Sequence, residues 1–340
     1  MRYLLILLIH VSIILEVVAQ QDPYFSHYMW NKQVYNPAAA GETNDRTCVS
    51  AIAHNQWLGF DDQTRMDRET GLYETSDFTP FNVAPKTYNV NLSTQIKSSS
   101  RRLGGVGLSM YDDRLGATKL TSIKGQMAYF VNFRNSSRLA FGLELSYTNF
   151  GFVNPGFRPR QPNDPKIPTS SVTTSRPEIS TGFYFTQPSL RGRYHSLFIG
   201  ASVQHVNQAT FQLVSTDLKG VHQMKPHYYV MSGLSFRSAN GLYNWSPMVL
   251  LKYNSEAQVD ASMIGERNNQ FRFGLGYRQG GNSDALIAYL GIRKRQLVYG
   301  YSYDLTMSRI NSVSAGTHEI GVKWCFGTKL VHYHKTPREM

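Results

Sequence analysis

A strict two-residue alternation in the last two strand-like stretches constrains the fold most. Residues 296–304 place one leucine and three tyrosines on one face, opposite valine, glycine, serine and aspartate. Residues 318–326 place Ile320, Val322, Trp324 and Phe326 on one face, opposite Glu319, Gly321, Lys323 and Cys325. Because side chains alternate across a strand, each stretch has one apolar face and one small or charged face. The apolar face packs on a core in a soluble sandwich, whereas in an outer-membrane barrel it contacts lipid and the polar face lines the lumen.

Similar strand-like stretches recur along the whole chain. Aromatic residues make up 13% of the sequence and charged residues only 17%, which fits a barrel with aromatic girdles at both membrane interfaces. The pattern predicts about fourteen strands, at residues 46–57, 86–97, 103–112, 118–133, 138–152, 178–187, 193–206, 228–237, 245–253, 256–265, 269–278, 283–293, 295–304 and 315–326.

The connections between these stretches separate by length. The long ones, at residues 58–85, 153–177 and 207–227, all fall on one side of the strand order, and every connection on the other side is short. Outer-membrane barrels are built this way, whereas a soluble sandwich has no reason to segregate its long loops. We therefore predict an all-β fold, a transmembrane antiparallel β-barrel of fourteen strands with long external loops and short periplasmic turns.

The first residues have the pattern of an export signal. Arg2 precedes a short apolar run at residues 4–15, and small residues at 17–19 offer a cleavage site. We expect a signal peptide at 1–19, an N-terminal periplasmic or plug segment at 20–45, the barrel at 46–326 and a periplasmic C-terminal tail at 327–340. The 20–45 segment does not alternate, and we expect it at the periplasmic mouth, tucked into or under the barrel. The expected location of the protein is the cell outer membrane.

The chain contains two cysteines, Cys48 and Cys325. They fall in the first and last predicted strands, which pair when a barrel closes, so a disulfide is geometrically conceivable. Two unpaired thiols are the interpretation that we favour, and whether the two pair stays open.

Positive charge concentrates at the predicted periplasmic turns. The formal net charge is +12, and export makes nucleic acid the partner that fits least. We hypothesise that a basic rim binds an acidic periplasmic partner, since such a field steers association. The alternative is that these side chains contact lipid headgroups or keep the turns soluble. The proposed partner-binding residues are Arg101, Arg102, Arg134, Arg138, Arg191, Arg193, Arg293, Lys294 and Arg295.

Other charged residues fall on the predicted lumen face, where we expect them to pair and fix a packed interior. They are Glu144, Arg272, Arg278, Asp304, Glu319 and Lys323. Catalytic patterns are weak: the acidic loop at 61–69 does not match a calcium-binding loop, and His205, His222 and His227 have no convincing Ser or Asp partner. His332 and His334 on the tail are a weak metal-site pattern. We expect no enzymatic activity, no cofactor and no metal.

The two ends of the chain resemble one known family, the PorP/SprF outer-membrane proteins of the type IX secretion and gliding systems of Bacteroidetes. The stretch from Gln21 to Met29 followed by Asn36-Pro37-Ala38 and Gly41 is similar to the opening motif of the family, and Tyr301-Ser302-Tyr303-Asp304 followed by residues 316–320 is similar to its closing motif. This chain departs from the family pattern at its C-terminus, where the tail at 327–340 extends past the aromatic residue that usually ends the last strand. The motif residues are Asp22, Pro23, Phe25, Ser26, Tyr28, Asn36, Pro37, Gly41, Tyr303, Asp304, Gly316, His318 and Glu319.

This resemblance implies a barrel that assists export of cargo across the outer membrane or its retention at the surface. It implies partners among the periplasmic and lipoprotein components of type IX secretion, besides outer-membrane lipid. The expected function is anchoring or coupling of those components, with the N-terminal segment and the basic rim as the partner face. The alternatives are a small-molecule uptake channel and an outer-membrane hydrolase.

Overall fold

The alternating stretches form the wall of a closed antiparallel barrel of fourteen strands, which confirms the predicted fold class. The computed structural model describes residues 22–43, 46–60, 64–66, 73–75, 84–98, 101–153, 168, 170–188, 190, 192–213, 221–280 and 284–327. In chain order the strands are β1 (Thr47–Asn55), β2 (Thr64–Met66), β3 (Tyr73–Thr75), β4 (Lys86–Ser98), β5 (Arg101–Leu115), β6 (Thr118–Asn132), β7 (Arg138–Phe152), β8 (Val172–Gln187), β9 (Tyr194–Gln204), β10 (Thr210–Gln212), β11 (Val221–Gln223), β12 (His227–Arg237), β13 (Tyr243–Asn254), β14 (Glu256–Arg267), β15 (Phe271–Gln279), β16 (Ala285–Lys294), β17 (Leu297–Thr306) and β18 (Thr317–Phe326).

Each barrel strand pairs with its neighbours along the chain, and β1 pairs with β18 to close the wall. The pairs β2–β3 and β10–β11 are small separate hairpins that the alternation did not predict. A single-turn α-helix (Lys32–Tyr35) and a 3-10 helix (Pro37–Ala39) precede β1, and a second 3-10 helix (Arg309–Val313) precedes β18. Within the described residues, no helix is long and apolar enough to cross a membrane.

The two faces of the wall differ as the alternation predicts. On β7, Leu145 is 60% exposed on the outside, whereas its neighbour Glu144 is 0% exposed on the inside. Most of the large hydrophobic side chains that are exposed belong to the outer face of the barrel strands. Since a row of apolar side chains around a closed barrel is what lipid contacts, the outside of the wall is the membrane face.

The strand ends agree with most predicted bounds to within a few residues, but β8 begins earlier than expected. The sequence predicts a long loop at residues 153–177 and a strand from residue 178, whereas the strand begins at Val172 and Pro177 pairs with Tyr147 of β7. β8 pairs with β9 only from Thr181 onward, so Pro177 lies where β8 is an edge strand. Proline is tolerated on edge strands because there its missing N–H need not break a ladder.

The seam between β1 and β18 is joined covalently. Cys48 and Cys325 are direct partners in the strand register, their Cα atoms are 4.1 Å apart, and their sulfur atoms form a disulfide. The favoured interpretation of two unpaired thiols is therefore wrong. Closure of the barrel brings the two cysteines together, although they lie 277 residues apart in the sequence.

Candidate functional site

The lumen contains the N-terminal part of the chain, residues 22–43, which we call the plug segment. Asp22 contacts His205, which follows the external end of β9, and Gly41 donates a hydrogen bond to Ser93, near the periplasmic end of β4. The plug segment therefore runs through the lumen from the external end to the periplasmic end. Its burial agrees with a segment tucked into the barrel, but not with the expected place at the periplasmic mouth.

Polar side chains of the plug segment bond to the inner wall along this path. The Asn31 amide donates to Asn89 on β4 at 3.0 Å, and the Asn36 amide donates to the carbonyl of Phe183 on β8 at 2.9 Å. An irregular backbone at membrane depth needs such partners, because lipid supplies none. The polar inner face of the strands is thus matched to the plug segment.

Glu319 on β18 is the main anchor of the plug segment. Its buried carboxylate accepts hydrogen bonds from the backbone N–H of Ser26 at 2.8 Å and from that of His27 at 2.6 Å. The Nδ1 atoms of His27 and of His54, on β1, each lie 2.7 Å from the same carboxylate. Four contacts therefore converge on one buried charge, and two of the four come from backbone groups of the plug segment.

A second ionic network adjoins this anchor. The Ser26 hydroxyl donates to Asp304 at 2.6 Å, and Arg278 contacts Asp304 at 2.8 Å and Asp260 at 2.6 Å. Lys252 lies 2.8 Å from the other oxygen of Asp260. Buried charges are tolerated when they are paired in this way. Because these residues lie on β13, β14, β15 and β17, the network links four strands of the wall to the plug segment.

Glycines on the inner face let the two backbones approach closely. A Cβ atom added at Gly142 on β7 would lie 2.1 Å from the backbone nitrogen of Ala38, and one added at Gly105 on β5 would lie 2.2 Å from the carbonyl oxygen of Ala40. No side chain fits at either distance. The inner wall is therefore shaped around the 3-10 helix of the plug segment.

Two of the cavities that lie against the plug segment are small. These two cavities, one beside Tyr24 and His54 and one beside Trp30 and Arg272, have volumes of about 10 Å³ each. A cavity needs at least ~10–15 Å³ to hold one water molecule. Neither cavity is therefore a path for solutes.

The two motif groups noted in the sequence meet inside the barrel. Ser26 from the N-terminal group contacts Asp304 and Glu319 from the C-terminal group. Tyr303 and His318 instead form an aromatic pair on the outer face, with ring centroids 5.1 Å apart. Gly316 lies in the turn before β18. The remaining motif residues belong to the plug segment and are buried: Asp22, Pro23, Phe25, Tyr28, Asn36, Pro37 and Gly41.

Five of the six expected lumen charges pair, as Arg278, Asp304 and Glu319 show above, whereas Lys323 has no ion pair among the described residues. Glu144 lies 3.2 Å from Lys124, and Arg272 lies 3.4 Å from Glu266. Several of the partners were not predicted, although each occupies an inward position of an alternating strand or of its end, and that position is the signal in the sequence that could have identified them. The missed residues are His54, Lys124, Glu178, Lys252 and Asp260.

Eight of the nine proposed partner-binding residues lie at the end of the barrel with the short turns, and Arg191 lies outside the described residues. We call these eight the basic rim: Arg101, Arg102, Arg134, Arg138, Arg193, Arg293, Lys294 and Arg295. Five of them are exposed: Arg101, Arg134, Arg193, Lys294 and Arg295. Arg293 lies 3.2 Å from Glu266, an acidic residue at the periplasmic end of β14. The fold thus places an excess of positive charge at the periplasmic rim. The role of the basic rim in binding a partner stays a prediction.

Solved structures share this architecture. The hydrocarbon channel TodX, in a structure titled as a deltaS2S3 mutant, aligns over 87% of this chain and 94% of its own with a TM-score of 0.51 and 10% identity. The Ralstonia pickettii toluene transporter TbuX aligns over 87% and 93% with a TM-score of 0.48 and 10% identity. At this identity, the TodX alignment shows a common barrel fold and nothing about substrates. No curated protein matches the sequence.

A family comparison is more specific. The sequence profile of the type IX secretion system membrane proteins PorP/SprF matches residues 17–324, a range that includes the whole plug segment and both motif groups. Membership implies interaction with other components of that system. The chain therefore belongs to the PorP/SprF family, and it is an outer-membrane component of the type IX secretion system.

Proposed function

We propose that this barrel is a non-enzymatic anchor, which couples periplasmic or lipoprotein components of type IX secretion, or their cargo, to the outer membrane. The observation that carries the proposal is the plug segment, which crosses the lumen and is fastened to Glu319 and Asp304. A barrel filled by its own chain offers its rims and its membrane face to partners, rather than a passage to cargo.

The basic rim is the proposed binding surface for an acidic partner. Its exposed side chains face the compartment in which the periplasmic components are found, and charge of one sign speeds association with an oppositely charged surface. The burial of the plug segment argues against its expected role as part of the partner face, because a buried segment has no surface to offer.

The alternative function is a small-molecule uptake channel. The cavities beside the plug segment, at about 10 Å³ each, count against it. Conductance of the purified protein in planar bilayers separates the two functions. The anchor predicts a closed barrel, whereas steady ion conductance at low voltage would favour the channel.

Co-purification of partners from native envelopes tests the anchor directly. The test variant carries Arg134→Glu, Lys294→Glu and Arg295→Glu, which reverse three exposed charges of the basic rim. We expect secretion-system components to co-purify with the unaltered barrel and to be lost from the variant. Raising the salt concentration should also weaken their binding, since exposed charges are screened beyond ~8 Å at physiological ionic strength.

The matched control reverses three positive charges at the opposite, external end, through Arg114→Glu, Lys119→Glu and Arg176→Glu. It changes the net charge equally and should retain the partners. Equal recovery of partners by both variants would overturn the assignment of the basic rim. A barrel that is recovered alone from mild detergent extracts would overturn the anchor itself.

A further inference from the structure

Three side chains with metal-binding atoms meet at the external end of the plug segment. The Asp22 carboxylate lies 3.0 Å from Nε2 of His205 and 3.9 Å from Nδ1 of His227. All three residues are buried, and one ligand atom from each lies within 4.8 Å of the others. The hydroxyl of Tyr229 donates to Asp22 at 2.8 Å and completes a group of four.

This set of atoms matches one class of ion. Calcium and magnesium prefer oxygen ligands, whereas two imidazoles and a carboxylate suit zinc and related transition metals. Zinc bonds of ~2.0–2.2 Å in a tetrahedron require ligand atoms roughly 3.4 Å apart. Nε2 of His205 lies 3.0 Å from Oδ1 of Asp22, and Nδ1 of His227 lies 3.9 Å from Oδ2 of the same carboxylate. Since one ligand atom from each residue lies within 4.8 Å of the others, side-chain shifts on the order of 1 Å would bring the three atoms into tetrahedral range.

The surroundings of His205 strengthen the case. Its Nδ1 atom, which faces away from Asp22, lies 2.8 Å from the carboxylate of Glu178 on β8. Metal-bound histidines almost always donate their other N–H to such a group, which fixes the orientation of the ring. A metal at Nε2 would replace the proton that this nitrogen now shares with Asp22, and that proton would leave to solvent.

His227 needs two small changes, a shift of its ring proton and a turn of the neighbouring Asn254 amide. Its Nδ1 atom now lies 2.9 Å from the carbonyl oxygen of Lys225, and its Nε2 atom lies 2.6 Å from the side-chain amide of Asn254. Moving the ring proton to Nε2 frees the Nδ1 lone pair for a metal. A half-turn of the Asn254 amide then presents its oxygen to Nε2, so the ring keeps a hydrogen bond on that side.

We propose that Asp22, His205 and His227 bind a divalent transition metal of the zinc class, with a water molecule as the fourth ligand and with the Tyr229 hydroxyl still donating to the Asp22 carboxylate. The ion joins the start of the plug segment to two strands that flank a long external loop, since His205 follows β9 and His227 begins β12. The site is separate from Glu319 and the basic rim, so it stands whether or not the barrel is an anchor.

Metal content and spectroscopy of the purified full-length protein test the site. The protein carries no affinity tag of histidines, and its tail carries His332→Gln and His334→Gln to remove other ligands. The purified protein is first stripped of metal with a chelator and then dialysed against zinc alone. We expect one zinc ion per chain by inductively coupled plasma mass spectrometry. Cobalt in place of zinc should give the intense visible absorption of a tetrahedral site.

Variants locate the ion. We expect His205→Gln and His227→Gln each to weaken zinc binding at least tenfold, and the control His318→Gln, on the outer face, to bind as tightly as the parent. The heat-dependent gel mobility typical of folded barrels shows that each variant is folded. No zinc above the dialysis background and no tetrahedral cobalt spectrum in the parent would overturn the proposal, as would unchanged affinity in both folded variants.

Discussion

Replacing Glu319 by glutamine should release the plug segment from the wall. The carboxylate accepts from two backbone N–H groups of the plug segment, at Ser26 and His27, and from the rings of His27 and His54. The glutamine amide keeps one oxygen that can accept hydrogen bonds. Its NH₂ group replaces the other oxygen and therefore faces a backbone N–H of the plug segment, which is also a donor. Breaking a buried charged pair costs about 3–5 kcal/mol. At about 1.4 kcal/mol per factor of ten, the fraction of open plug should rise by roughly two to three and a half orders of magnitude.

Thiol labelling measures that fraction. A cysteine introduced by Met29→Cys, in the plug segment, reports opening through its reaction rate with a water-soluble maleimide, since the native cysteines are joined in the disulfide. We expect the rate to rise at least a hundredfold in Glu319→Gln.

The matched control is Glu144→Gln. Glu144 is equally buried, but its partners Lys124, Gln126 and Ser180 all belong to the wall. Its labelling rate should stay near that of the parent. A rate in Glu319→Gln within threefold of the parent, in folded protein, would refute the role of Glu319 as the anchor.

Three further changes test the wall. Gly142→Ala should lower the thermal stability measured in detergent by ~1–3 kcal/mol through overpacking against the plug segment, whereas Gly125→Ala, with its nearest atom at 3.8 Å, should not; equal effects would contradict the fit. The double change Cys48→Ser and Cys325→Ser should cost about 2–4 kcal/mol in urea unfolding, and a reductant should reproduce this loss in the parent alone. Leu145→Arg on the membrane face should cost about 2–4 kcal/mol of folding stability in lipid, and a neutral result would place this residue away from lipid.

The wall of the barrel could be predicted because its signal is local. Each strand carries its own alternation, because every second side chain must be apolar where one face of the strand contacts lipid. Whether Glu144 or Leu145 points inward therefore follows from the neighbouring residues. The start of β8 was placed too late, because the proline-containing stretch before residue 178 has the composition of a loop. The sequence does not show that β9 pairs with β8 only from Thr181 onward, which leaves Pro177 on an edge where proline is tolerated.

The site could be predicted only in part, because its contacts are far apart in the sequence. An inward Glu319 was expected, but its partner His27 lies 292 residues away in a segment with no periodic pattern. The disulfide depended on register in the same way, since a slip of one residue would move Cys48 to the other face of the wall. The cluster of Asp22 with His205 and His227 needed both the path of the plug segment and the closure of the barrel.

Hydrogen–deuterium exchange in native outer-membrane vesicles tests most directly whether the barrel is closed by its own N-terminal segment. The amides of Ser26 and His27 donate to a buried carboxylate, so we expect them to exchange as slowly as the central residues of β18. Exchange of residues 22–41 within seconds, as in a segment exposed to the periplasm, would contradict a plug inside the lumen.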